Sequence, residues 1–147
     1  MAGVMWEAVK EHVVSQAPAV IGSSVRVYDG PVATGENPAS YLTVGHAPSS
    51  TEESAGSFTQ DVGPDGYDAA ESGTVICELA ATTGSTDVPS VFATFAAIAA
   101  WIQADMTLGG VLTDDATCTA AANVVQAQTR AGAVQRLLIT ISYTTRL

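Results

Sequence analysis

Apolar residues recur at Met5, Val9, Val13 and Ala17, with Glu7, Lys10 and Glu11 between them. That spacing predicts an amphipathic helix over residues 4–16, and Pro18 is expected to stop it. Val25, Val27 and Tyr28 form a short strand signal ended by the turn Asp29-Gly30-Pro31, and Tyr41, Leu42, Thr43 and Val44 form a second, closed by Gly45. The two are near enough in sequence to pair. Over 74–81, Val75, Cys77, Leu79 and Ala81 alternate with Ile76, Glu78 and Ala80, the period of a strand. The run Thr82-Thr83-Gly84-Ser85-Thr86-Asp87 is turn chemistry, with Thr86 or Asp87 as helix cap and Pro89 in the first turn. A second helix follows over 88–106, with Val88, Val91, Phe92, Phe95, Ile98, Ala99 and Ile102 as its apolar stripe and Gly109-Gly110 as its stop. Phe92, Phe95, Ile98 and Ile102 are expected in the core. Residues 114–128 and 133–145 read as the arms of a hairpin around Arg130-Ala131-Gly132. In the last arm Leu137, Ile139, Ile141 and Tyr143 alternate with Leu138, Thr140, Ser142 and Thr144.

The predicted order is α-β-β-(long loop)-β-α-β-β. Short turns between strands favour a mostly antiparallel sheet with two helices packed on it, an α+β domain spanning 1–147. The segment 46–72 breaks the pattern. It has neither helical nor strand period and is rich in Ser, Gly and acids: Glu52, Glu53, Asp61, Asp65, Asp68 and Glu71, with the aromatics Phe58 and Tyr67 among them. So long a stretch is expected to be a functional loop or a hairpin projecting from the sheet.

At 147 residues the chain has the size of one domain, and a hydrophobic fraction of 47% with mean hydropathy +0.25 excludes a disordered chain. No apolar run approaches the ~20 residues of a membrane span, and Glu7, Lys10 and Glu11 stand where a signal peptide would be apolar. A soluble, unsecreted protein is expected. Charge narrows the picture further. Fifteen acidic residues face five basic ones, and none of the basic ones lies between Arg26 and Arg130. Such a chain is not built to grip phosphates or an anionic membrane. Its acidity reads either as a solubilising surface or as one past which DNA slides without sticking.

Candidate chemistry is sparse. His12 and His46 are isolated, with no nucleophile elbow beside either. Cys77 and Cys118 are neither paired nor spaced as zinc ligands and read as buried thiols. The acids of 46–72 do not follow the spacing of a calcium-binding loop, although a module sensing calcium or a small ligand through them is one alternative. There is no phosphate-binding glycine loop. No catalytic residue, cofactor site or metal site is assigned, and a small hydrolase would need a cleft holding His12 or His46.

Four stretches carry a resemblance: the opening helix; AVIGSSVRVYDG at 19–30; ICELAATTGSTDVPSVFATFAAIAAWI at 76–102; and the terminal hairpin LGGVLTDDATCTAAANVVQAQTRAGAVQRLLITISYTTRL at 108–147. Together they cover most of the chain outside 46–72, and in element order they resemble the tail terminator proteins of long-tailed, siphovirus-type bacteriophages. The resemblance implies a structural virion protein of the tail and neck, assembled in the host cytoplasm, and not an enzyme. It implies a homohexameric ring that caps the tail tube, ends its polymerisation and meets the head connector or head-completion protein, with DNA passing through the lumen unbound. A head-completion or tail tube protein is the nearest alternative. Under this reading Arg130, Arg136 and Arg146, together with Trp101, Phe58 and Tyr67, are interface candidates, and Glu52, Glu53, Asp61, Asp65, Asp68 and Glu71 line the loop or lumen. The arginines are expected to meet carboxylates within or between subunits. Arg136→Glu is expected to weaken assembly while leaving the subunit folded.

Overall fold

The computed structural model describes residues 4–36, 38–48, 53–62, 69–82, 90–129 and 132–147. The first helix, α1 (Met5–Ile21), buries Val9, Val13 and Ala17 along one line, as their spacing predicts, but it runs through Pro18. Proline removes one helical hydrogen bond. The turn around it survives because Ala17 is buried and Ile21 packs against the core. The helix ends instead at Gly22, whose φ of +86° suits a residue without a side chain and whose N–H donates to the Pro18 carbonyl at 3.1 Å.

Strands β1 (Arg26–Asp29) and β2 (Ser40–Val44) do pair, but in parallel, Val27 opposite Leu42. A two-residue ribbon follows, β3 (Ala47–Pro48) with β4 (Glu53–Ser54). Next come β5 (Gly56–Val62) and β6 (Ala69–Thr82), which form an antiparallel hairpin. Of the two expectations for 46–72, the projecting hairpin therefore describes 56–62 and 69–72. The second helix is α2 (Val91–Ala104), capped by Ser90, whose side chain accepts the Phe92 N–H at 3.2 Å; Thr86 and Asp87, the expected caps, lie outside the described residues. Strands β7 (Thr117–Thr129) and β8 (Gly132–Arg146) form the terminal hairpin.

The sheet runs β1-β2-β6-β8-β7, and all contacts except β1 with β2 are antiparallel. Strand β6 is long enough to hold two partners end to end on one edge. Residues 77–81 bond β2 and residues 69–75 bond β5. At the seam, the Ile76 N–H donates to the Ala55 carbonyl and the Ile76 carbonyl accepts from Gly45, both at 2.9 Å. Both helices lie on the face of the sheet that carries Leu42, Val44, Val75, Cys77, Leu79, Leu137, Ile139 and Ile141. These residues, with Val9, Val13, Ala17, Val91, Ile98 and Ile102 from the helices, are the core. The expected stripe on α2 is corrected at two positions. Phe92 is 48% exposed and Phe95 only partly covered, while Thr94 is buried with its hydroxyl donating to the Ser90 carbonyl. The buried line is Val91, Thr94, Ile98 and Ile102, which leaves Phe92 at its solvent edge.

Candidate functional site

The opposite face of the sheet carries no helix among the described residues. Strand alternation places Tyr41 and Thr43 from β2 there, with Ser72, Thr74, Ile76, Glu78 and Ala80 from β6 and Arg136, Leu138, Thr140, Ser142 and Thr144 from β8. Thr117, Thr119, Ala121 and Asn123 of β7 complete it. Most of these side chains are short and polar. Ser72 and Thr144 share a cross-strand hydroxyl hydrogen bond at 3.1 Å. The face is broad and suited to contact with another surface.

One charged group is sunk into it. Glu78 is 4% exposed, accepts from the Tyr41 hydroxyl at 2.6 Å and is ion-paired with Arg136. The Glu78 N–H also donates to the Thr43 hydroxyl. Burial, then the bond to Glu78, pushes the Tyr41 phenol well above the ordinary tyrosine value. Arg136, expected as an interface residue, is thus committed to a carboxylate of its own chain. Its replacement by Glu would strand Glu78, so a loss of subunit stability is expected beside any effect on assembly.

Glu71, read in the sequence as a loop or lumen acid, is placed differently. It is fully buried on the helix side of β6. Both of its oxygens accept from the Met5 N–H, at 3.0 and 3.1 Å, and it also accepts from the Tyr143 hydroxyl at 2.6 Å and the Gln60 amide at 2.9 Å. Val4, the N-cap of α1, offers no side-chain bond. Glu71 therefore caps the helix from a distant strand, a favourable place for a negative charge. Gly73 makes the arrangement possible. A Cβ there would meet the Tyr143 hydroxyl at 2.5 Å. Burial, followed by the bond to Glu71, raises the Tyr143 phenol. With all its neighbours donors, Glu71 is not available to calcium, which removes it from the cation-sensing alternative. The described residues contain no cluster of metal-ligating side chains.

The remaining candidates are dispersed. Trp101 is half-buried and stacks on His12, with ring centroids 5.8 Å apart and planes 12° off parallel. Arg146 pairs with Asp115 at 2.8 Å, and both are exposed. Asp115 is held below the usual carboxylate value by the Thr113 hydroxyl first, with Arg146 contributing less. Phe58 is 44% exposed on β5, and Asp61 is exposed on the same strand. Glu53 lies in β4. Arg130, Tyr67, Glu52, Asp65 and Asp68 lie outside the described residues. The short ribbon and the hairpin position 53–62 beside β6, away from Arg136, so the described interface candidates do not gather at one point.

Cys77 and Cys118 are both buried in the core. Burial pushes the first thiol up to about 12 and the second up to about 11. The register sets Cys77 opposite Ile139 and Ile139 opposite Ala122. Cys118 is therefore two strands across and four residues along, roughly 16 Å away, far beyond disulfide reach. A cleft of about 210 Å³ opens between α2 and β7, lined by Ala99, Ile102, Gln103, Met106, Cys118, Thr119 and Ala120. A thiol so far from ionising is a poor nucleophile, and nothing in the cleft lining supplies a base to activate it.

No described helix is long and apolar enough to cross a membrane. No protein-family model matches the chain, and no curated protein matches it.

Proposed function

We propose that the chain is a structural ring subunit of the tail-terminator kind that its sequence resembles, not an enzyme. In that role copies of the chain close a ring, six by the resemblance, on the end of a tail tube. The ring stops the tube's growth and presents its other side to the head connector or head-completion protein. The place of action is the neck of the virion, reached by assembly in the host cytoplasm. DNA passes through the lumen, and a subunit with net charge −10 has little to hold it with.

The observation that carries the reading is the one-sided sheet. Two helices cover one face and complete a core, while the other face, which carries no helix among the described residues, is mostly short polar side chains around one internally paired charge. A sheet face without a helix among the described residues and a hairpin arm with exposed Phe58 and Val62 suit a subunit that meets other subunits.

The test is the mass of the purified protein by light scattering over a concentration series, with negative-stain images of the same samples, alone and with purified tail tubes. Closed rings without tubes, or rings seated on tube ends, are expected. Long tubes would transfer the chain to the tube-protein alternative. A subunit that neither forms rings nor caps a tube end would refute the proposal.

A further inference from the structure

Among the described residues strand β7 is the outermost on its side of the sheet and bonds β8 alone. Its pairing runs unbroken from Thr117 opposite Thr144 to Thr129 opposite Gly132, so no bulge turns its outer backbone aside. Alternate N–H and C=O groups along 13 residues therefore face outward. Among the described residues no backbone group bonds to them. The strand reads TCTAAANVVQAQT, with no Lys, Arg, Asp, Glu or Pro. Of the devices by which native proteins blunt such edges, β7 has no charge, proline or bulge and is not short. In a chain with fifteen acidic residues its neutrality stands out.

The same sheet has a second open edge. Among the described residues strand β5 bonds β6 alone; it carries Phe58 and Val62 exposed at 44% and 65% and contains one charged residue, Asp61. We propose that β7 of one copy pairs with β5 of the next, so that the sheet continues across the subunit boundary. A second copy is the fitting occupant because each chain carries both halves of the contact. Copies with net charge −10 repel one another, and these two edges bring almost no carboxylate to the approach. The contact joins different surfaces of the two copies, so repetition either closes a ring or runs on as a filament. Only the closure into a ring rests on the function proposed above.

The test uses the full chain. Ala121→Lys with Asn123→Lys places charge on exposed positions of β7. Separately, Thr59→Cys is combined in turn with Thr119→Cys, Ala121→Cys and Asn123→Cys and oxidised. The native thiols are buried and stay out of the reaction. Expected results are an unchanged circular dichroism spectrum, a concentration for half-assembly raised by about tenfold or more in the lysine variant, and a ladder of cross-linked copies from one cysteine pair. Full assembly of the lysine variant with no cross-link in any pair would overturn the edge contact and leave the ring reading intact. A wild-type chain that stays monomeric to about millimolar concentration, with the outward β7 amides exchanging freely, would overturn it too. The tube-capping result then decides the ring reading alone.

Discussion

Replacing Glu71 by Ala tests where the stability of the fold resides. An acid on a solvated loop is worth little, and its removal is expected to change stability by no more than about 0.5 kcal/mol. The geometry predicts a much larger effect. Glu71 is inaccessible to water and accepts from three groups: the first N–H of α1, the Tyr143 hydroxyl and the Gln60 amide. Gln60 is exposed and can turn to water, so its loss is small. The Tyr143 hydroxyl is buried with its residue 2% exposed, and Met5 N is part-buried. Leaving each donor without a partner costs about 1–3 kcal/mol. The empty side-chain volume adds to this, giving a total of about 3–5 kcal/mol. Glu71→Gln keeps the volume and one acceptor and is expected to lose about half as much. Tyr143→Phe removes one donor and leaves the carboxylate its other partners, at about 1–2 kcal/mol. The assay is urea unfolding of the three variants at one fixed protein concentration, followed by circular dichroism. Oligomers shift apparent stability by mass action, which is why the concentration is fixed. A Glu71→Ala loss below about 1 kcal/mol would refute the placement of this carboxylate.

Three further outcomes follow from the geometry. Arg136→Glu sets two carboxylates together beside Tyr41 and is expected to lower subunit stability by about 2–4 kcal/mol, whereas Glu78→Leu with Arg136→Met and Tyr41→Phe, which removes all three partners, is expected to be nearly neutral; urea unfolding of both distinguishes a structural pair from an interface residue. Tyr41 and Tyr143 both have raised phenols, so below the ordinary value of 10.0 they are protonated folded and unfolded alike. Above it the unfolded chain releases protons that the folded chain keeps, so stability falls as pH rises past about 10. Absorbance titration is expected to find these two ionising only as the fold is lost. Cys77 and Cys118 should not react with an aromatic disulfide reagent at about pH 8 until denaturant is added, and rapid reaction of either in the native protein would contradict their burial.

The parts of the fold legible in the sequence are those with a buried face. Alternation in 74–81 and 137–143, and the four-residue steps of Val9, Val13 and Ala17, arise from contact with one core, so the pattern and the structure coincide. Where both faces of a strand meet solvent the pattern disappears. Every residue of β5 after Gly56 is exposed, and Ser57, Thr59, Gln60 and Asp61 carry no period for this reason. Its pairing rests on the backbone ladder to β6, to which side-chain pattern is blind. The parallel sense of β1 and β2 is hidden likewise, since two short strands alternate alike in either direction. Pro18 misleads because its penalty is local while Ala17 and Ile21 are held by distant contacts. Glu71 was hidden for a related reason: its donors come from positions 5, 60 and 143, which no local window joins. One clue lies in the sequence, a glycine at 73 two residues after an acid, opposite the alternating Tyr143 of the last strand.

The charge distribution yields a prediction that separates two modes of assembly. If arginines were the glue between copies, salt would weaken the assembly by screening their bridges. Two of the three arginines after Arg26 are already engaged inside the chain, Arg136 with Glu78 and Arg146 with Asp115. Arg26 lies 3.6 Å from Glu36 and Lys10 lies 3.0 Å from Asp29, so these cations are also spent locally. What remains between copies is mostly repulsion among acids. The screening length shrinks from ~10 Å near 0.1 M salt to ~3 Å near 1 M, so repulsion between separate copies fades over that range while backbone pairing at an uncharged edge is hardly touched. Self-association is therefore expected to strengthen with sodium chloride, read by light scattering at constant protein concentration. Dissociation by salt would count against the strand-edge contact and return Arg130, Arg136 and Arg146 to the interface.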